Sequence, residues 1–242
     1  MRYQTQVQTR AGTRAEIDAG LRSYMLGVYN YMALGVAFTA IVTLFMAANP
    51  ALMMTIAGGP MKWVLFIGVL GLGFFAPRLI FSGNPAMAHA AYWGYAGLWG
   101  LLISPMVAYF LALDGGSLVF RALAITAATF GATSLAGYVT KRDLSGFAGF
   151  FMMAAIGLII AIVVNAIFFA STMFSLITSI AVVLLFSAIT AYETQQIKEM
   201  YVEGDMPGVA RSKSIFGAFM LYGSFVTLFV HILNILGIMR SE

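Results

Sequence analysis

The chain has 242 residues, 61% of them hydrophobic and 9% charged, with a net charge of +4 and no Cys. A soluble domain carries about 25% charged residues, so a mean hydropathy of +0.92 excludes a soluble core and leaves a polytopic membrane protein in contact with the lipid bilayer. The small positive charge reflects topology and anionic lipid, with no nucleic acid as partner, and the lack of Cys excludes disulfides, a thiol nucleophile and Cys-ligated metal.

Backbone groups in lipid must pair internally, which leaves helices or closed barrels. The apolar runs here are far longer than barrel strands of about ten residues, so the fold class is all-α. Residues 1–22 carry Arg2, Arg10, Arg14, Arg22, Glu16 and Asp18. They read as a mobile cytoplasmic tail, too polar and too long for a cleavable signal. A transmembrane domain over residues 23–242 follows. Its first span, about 25–48, stops at Asn49-Pro50, and Gly58-Gly59-Pro60 forms the next loop. The second, about 63–81, contains Gly68, Gly71 and Gly73, which allow close helix approach, and ends near Pro77-Arg78. The third covers about 87–113. Tyr92, Trp93, Tyr95 and Trp99 near its start are expected as an interfacial belt, and Ser104-Pro105 as a local loosening. Asp114-Gly115-Gly116 is a turn, and the fourth span runs about 118–139 to Lys141-Arg142-Asp143.

The fifth and sixth spans, about 146–169 and 173–192, lie in a run from Leu144 to Tyr192 without Asp, Glu, Lys or Arg. Glu193 ends that run. A carboxylate where an apolar span meets its polar end is either functional or solvated and inert, and position alone leaves both readings open. Residues 199–213 are expected as a polar loop, and the seventh span covers about 214–239. With the N-terminus inside, ten Lys and Arg lie on cytoplasmic segments, and Lys62, Arg121 and Arg240 lie outside. This predicts N-in, C-out topology, with Arg78 and Glu193 at the cytoplasmic ends of their helices.

On the last span Ser224, Thr227, His231 and Asn234 recur three, four and three residues apart, within an arc of about 80°. Such a stripe faces the bundle interior, either as interhelical hydrogen-bonding glue or as a hydrated pathway. No catalytic constellation accompanies it: Ser224 and His231 are separated by about 10.5 Å of helix rise, too far for a nucleophile and its base. The chain therefore does not read as an enzyme, and no metal site is assigned.

Several ordered segments resemble the Bax inhibitor-1 family. Tyr192-Glu193-Thr194-Gln195-Gln196-Ile197-Lys198 is similar to the end of that family's sixth helix, and Leu221-Tyr222-Gly223-Ser224-Phe225-Val226-Thr227-Leu228-Phe229 to its seventh-helix motif. Gly137-Tyr138-Val139-Thr140-Lys141-Arg142-Asp143-Leu144-Ser145 resembles the loop between helices four and five, and Ser104-Pro105 the third-helix motif. The resemblance spans about residues 20–240 and implies a seven-helix bundle in a bacterial inner membrane. It also implies a calcium leak without a cofactor, gated by two aspartates that share a proton and by an Arg on the second helix. By position these become Glu193, Ser224 and, approximately, Arg78. Ser224 departs from the family pattern, because a Glu–Ser pair cannot share a proton as two carboxylates do. An Arg78–Glu193 pair would stabilise the closed form, so Glu193→Gln would raise the leak. The alternative reading is a non-conducting modulator of a membrane protease or stress response, acting through helix–helix contacts.

Overall fold

A computed structural model describes the backbone of residues 2–57 and 59–241, with side chains for all of these but 2–18, 57 and 241. Eight α-helices follow one another: α1 (Arg2–Ala47), α2 (Pro50–Ala57), α3 (Met61–Ile80), α4 (Pro85–Asp114), α5 (Ser117–Val139), α6 (Ala148–Val164), α7 (Thr172–Glu199) and α8 (Pro207–Ser241). All but α2 are long and apolar enough to cross a membrane, α6 together with the short helical turns that extend it to Ser145–Phe169. The protein is an all-α polytopic membrane protein.

Local chemistry sets the boundaries. Asn84 caps α4 by accepting the Ala86 N–H at 3.0 Å, with Pro85 in the first turn, where a missing N–H costs nothing. Asp114 accepts the N–H groups of Gly116 and Leu118 and pairs with Arg240 at 2.7 Å, tying the α4–α5 turn to the end of α8. The α6–α7 hairpin is closed by Asn165, whose amide donates to the Ser171 carbonyl and accepts the Ser171 N–H.

The seven expected spans are all present, with three differences. The polar N-terminal segment continues α1 as helix from Arg2. The expected loop 199–213 is shorter, because α8 begins at Pro207, a residue whose fixed φ suits a first turn. As expected, α4 tolerates Pro105: the Ser104 hydroxyl donates to the Leu101 carbonyl at 2.8 Å, which is the acceptor that Pro105, lacking an N–H, leaves unpaired. The expected aromatic belt is largely core, with Tyr92 and Tyr95 buried and their rings edge-on to Tyr222. Period-3.6 placement decided this, because both tyrosines face α8 rather than the headgroups.

α8 is the centre of the bundle. Ile215, Ala218, Leu221, Tyr222, Leu228 and Leu233 are each at most 1% exposed, and the helix packs against α1, α3, α4, α5 and α7. α1 and α4 are laced by two hydroxyls one turn apart, Thr39 to the Ala96 carbonyl and Thr43 to the Gly100 carbonyl. The lacing needs close backbones, and a Cβ on Gly100 would strike Val42. At Gly137 the α5 backbone meets the Ala191 carbonyl of α7 with no room for a side chain. α6 is the exception. It packs mainly on α7, and its span has no buried residue among those that face outward or inward over its most apolar stretch.

At the C-terminal end of α7, the Gln195 amide donates to the Arg142 carbonyl at 2.9 Å while its oxygen accepts the Leu144 N–H at 2.8 Å. Lys198 donates to the Tyr138 carbonyl at 3.0 Å. In the same loop the Ser145 hydroxyl and N–H hold the Asp143 carboxyl below the usual carboxylate range. The polar residues of this motif thus clamp the α5–α6 loop onto α7. Gln195→Leu leaves both loop groups unpaired and should destabilise the protein by about 1–3 kcal/mol. A lowered thermal midpoint in detergent would report this; an unchanged midpoint would show that the clamp contributes nothing.

Candidate functional site

Glu193 lies on α7 five residues before Lys198, about 7.5 Å inward from the polar end of the helix. Its carboxylate accepts a hydrogen bond from the Ser224 hydroxyl of α8 at 2.6 Å. This is the pair that the positional carry-over assigned. Arg78 does not join it: its side chain is exposed at the end of α3. Among the described residues the ion pairs are Lys213–Asp205 and Arg240–Asp114.

The polar stripe of α8 faces inward as its spacing required. Glu193, Ser224, Thr227 and His231 all line one cavity of about 630 Å³, bounded by α3, α4, α6, α7 and α8. The rest of its lining is apolar or aromatic, including Phe66, Leu70, Phe74, Ile159 and Phe186. Glu193 is its one carboxylate and His231 its one imidazole, and no Lys or Arg lines it. Thr227 is satisfied by its own helix through the Gly223 carbonyl at 2.8 Å. His231 meets the Ser179 hydroxyl through Nδ1 at 3.0 Å. Asn234 lies beyond the cavity, where its amide donates to Ser175 and Ser179 at 2.9 Å each. Ser224, His231 and Asn234 all bond across to α7, as interhelical glue would, and Ser224, Thr227 and His231 also line the cavity.

Sequence reasoning missed Ser175 and Ser179, although their four-residue spacing puts both on the face of α7 that meets α8. It also missed Tyr95 and Trp99 as cavity walls. Trp99 Nε1 is buried without a hydrogen-bond partner. Among the described residues no three His, Asp or Glu converge. One carboxylate and a few hydroxyls fall short of the six to eight oxygens that hold a calcium ion firmly.

The family model described as inhibitor of apoptosis-promoting Bax1 matches residues 21–241. An uncharacterized protein of Rickettsia prowazekii is 37% identical, with 98% of each chain covered. The inner membrane protein YbhL of Escherichia coli is 34% identical over 94% of this chain and 97% of its own. An uncharacterized membrane protein of Streptococcus pyogenes is 31% identical over 91% of this chain and 94% of its own. With the seven spans and the motifs in their expected helices, the chain belongs to the Bax inhibitor-1 family and has bacterial relatives along nearly its whole length.

Proposed function

We propose that this protein is a cation leak of a bacterial inner membrane, passing calcium along the α8 stripe. The observation that carries this reading is that Glu193, Ser224, Thr227 and His231, on two helices, share one cavity wall. A carboxylate deep in a span with no cationic partner among the described residues offers a cation what it loses with its water. The inner-membrane location rests on similarity to the Escherichia coli relative. Orientation follows the excess of Lys and Arg on the tail and on the loops at Arg78, Lys141, Arg142, Lys198, Arg211 and Lys213. In this reading Arg78 contributes to that excess and not to the gate. Reporter fusions should place the N-terminus in the cytoplasm and Arg240 outside; a cytoplasmic signal from both ends would contradict seven crossings.

Reconstituted into liposomes loaded with calcium dye, the protein should raise flux above that of empty vesicles. Since Glu193 meets Ser224 and not Arg78, Glu193→Gln removes the attracting charge instead of unlocking a closed pair. Flux should fall about tenfold, equivalent to ~1.4 kcal/mol in the barrier. Folded protein that never exceeds empty vesicles would overturn the proposal. Ser224→Asp puts a second carboxylate against Glu193. Two carboxylates at hydrogen-bond distance share one proton, so the variant's flux should vary more steeply with pH between 6 and 8 than the parent's. Equal pH profiles would show that this pair does not govern passage.

The outer face of α6 favours a second reading. That span is the most apolar of the seven candidates and α6 within it has no buried residue, which suits lateral contact with another membrane protein such as a protease. No flux, together with a protease that co-purifies and is lost on substitution of α6 outer residues, would favour it.

A further inference from the structure

The cavity opens on one side of the bundle. Leu70 and Phe74 line it from α3, yet they are 41% and 79% exposed on the outer surface of the bundle. On the opposite rim stand Ile159 and Ile162 of α6, a helix held mainly by α7. A side chain that lines a cavity while exposed on the lipid-facing surface marks a lateral mouth. Inside that mouth the wall is apolar as far as Glu193, whose carboxylate has the Ser224 hydroxyl as its hydrogen-bond donor. A hydrocarbon-lined chamber of about 630 Å³ is in the size range of small-molecule sites.

We propose that this chamber is a binding site for a single-chain lipophilic primary amine, which enters from the bilayer between α3 and α6. The ammonium head lies against Glu193, and the alkyl chain lies along Phe66, Leu70, Phe74 and Phe186. Three observations select this chemistry. The one acid in the lining is Glu193, so a basic head that can take up its proton is complementary and a fatty acid is not. The lining has no Lys or Arg, so a phospholipid, whose phosphate would follow its amine inward, lacks a partner for that phosphate. Most of the lining is apolar, so an inorganic cation alone leaves it unused. This site goes beyond the leak: it stands or falls by binding, whether or not calcium passes.

Trp99 lines the same chamber and reports on it. In full-length protein carrying Trp63→Phe and Trp93→Phe, in phosphatidylcholine nanodiscs, dodecylamine with a terminal bromine should quench Trp99 fluorescence saturably. The alcohol of the same length should bind at least about tenfold more weakly, as should the amine on Glu193→Gln, the fold-change expected for loss of a charge-assisted hydrogen bond. Gly73→Leu provides an independent arm. A Cβ at Gly73 meets only Tyr95 at ordinary contact distance, so the larger side chain enters the chamber and should weaken amine and alcohol alike. Equal quenching by amine, alcohol and the carboxylic acid, or quenching unaltered by both variants, would mean mere partitioning into the bilayer and would overturn the site. Loss of amine binding in nanodiscs of phosphatidylethanolamine would overturn it in favour of a phospholipid headgroup. If Glu193→Gln does not fold, the Gly73→Leu and head-group comparisons decide alone.

Discussion

A helix packed among five others has no solvent face along its middle to which a polar residue can turn, and α8 is such a helix over residues 212–238. Every hydroxyl, imidazole or amide on it must find a partner within the bundle or border on internal space. Asn234 and His231 find theirs in Ser175 and Ser179 of α7. Thr227 turns back on its own carbonyl, and Ser224 reaches Glu193. These bonds fix the register of α7 against α8, since a shift of one residue would strand several polar groups in an apolar interior. The site and the packing of the two helices are therefore one structure.

The remaining helices hold α8 in this position by short-range devices, because hydrophobic burial does little to drive helix association in lipid. Thr39 illustrates this. Its hydroxyl lies 2.6 Å from the Tyr222 hydroxyl and donates to the Ala96 carbonyl at 2.9 Å, joining α1, α4 and α8 at one point. On the far side Ser134 links Tyr29 of α1 with Thr194 of α7 at 2.6 and 2.9 Å. Where α3 and α6 have no such ties to each other, the bundle opens into the cavity. The absence of lacing on that side is what gives Glu193 access to space and to lipid.

The spans and their number were legible because apolar runs in a membrane protein carry both length and period. The inward direction of Ser224, Thr227, His231 and Asn234 was legible for the same reason: four polar residues at helical spacing have one energetically tolerable orientation. The Glu193–Ser224 contact was reached through family resemblance and not through spacing, since the partners are on different helices. Sequence could not place Tyr92 and Tyr95, which suit a core or a headgroup equally well until the facing helix is known. The Arg78 pairing failed for a similar reason. Sharing a membrane depth is a one-dimensional statement, and pairing needs the two side chains to face one another around the bundle. The cavity itself has no sequence signature, because it arises from helices that do not touch.

The central claim is that the α8 stripe borders a space open to water and attractive to cations. The chain has no Cys, so a single Thr227→Cys substitution places one thiol on that wall. The decisive measurement is its rate of modification, in reconstituted protein, by a positively charged and a negatively charged methanethiosulfonate reagent of similar size. The account predicts modification by both, faster for the cation, with the difference abolished in the presence of Glu193→Gln. A thiol that neither reagent reaches, or that both reach at equal rates with Glu193 intact, would contradict it.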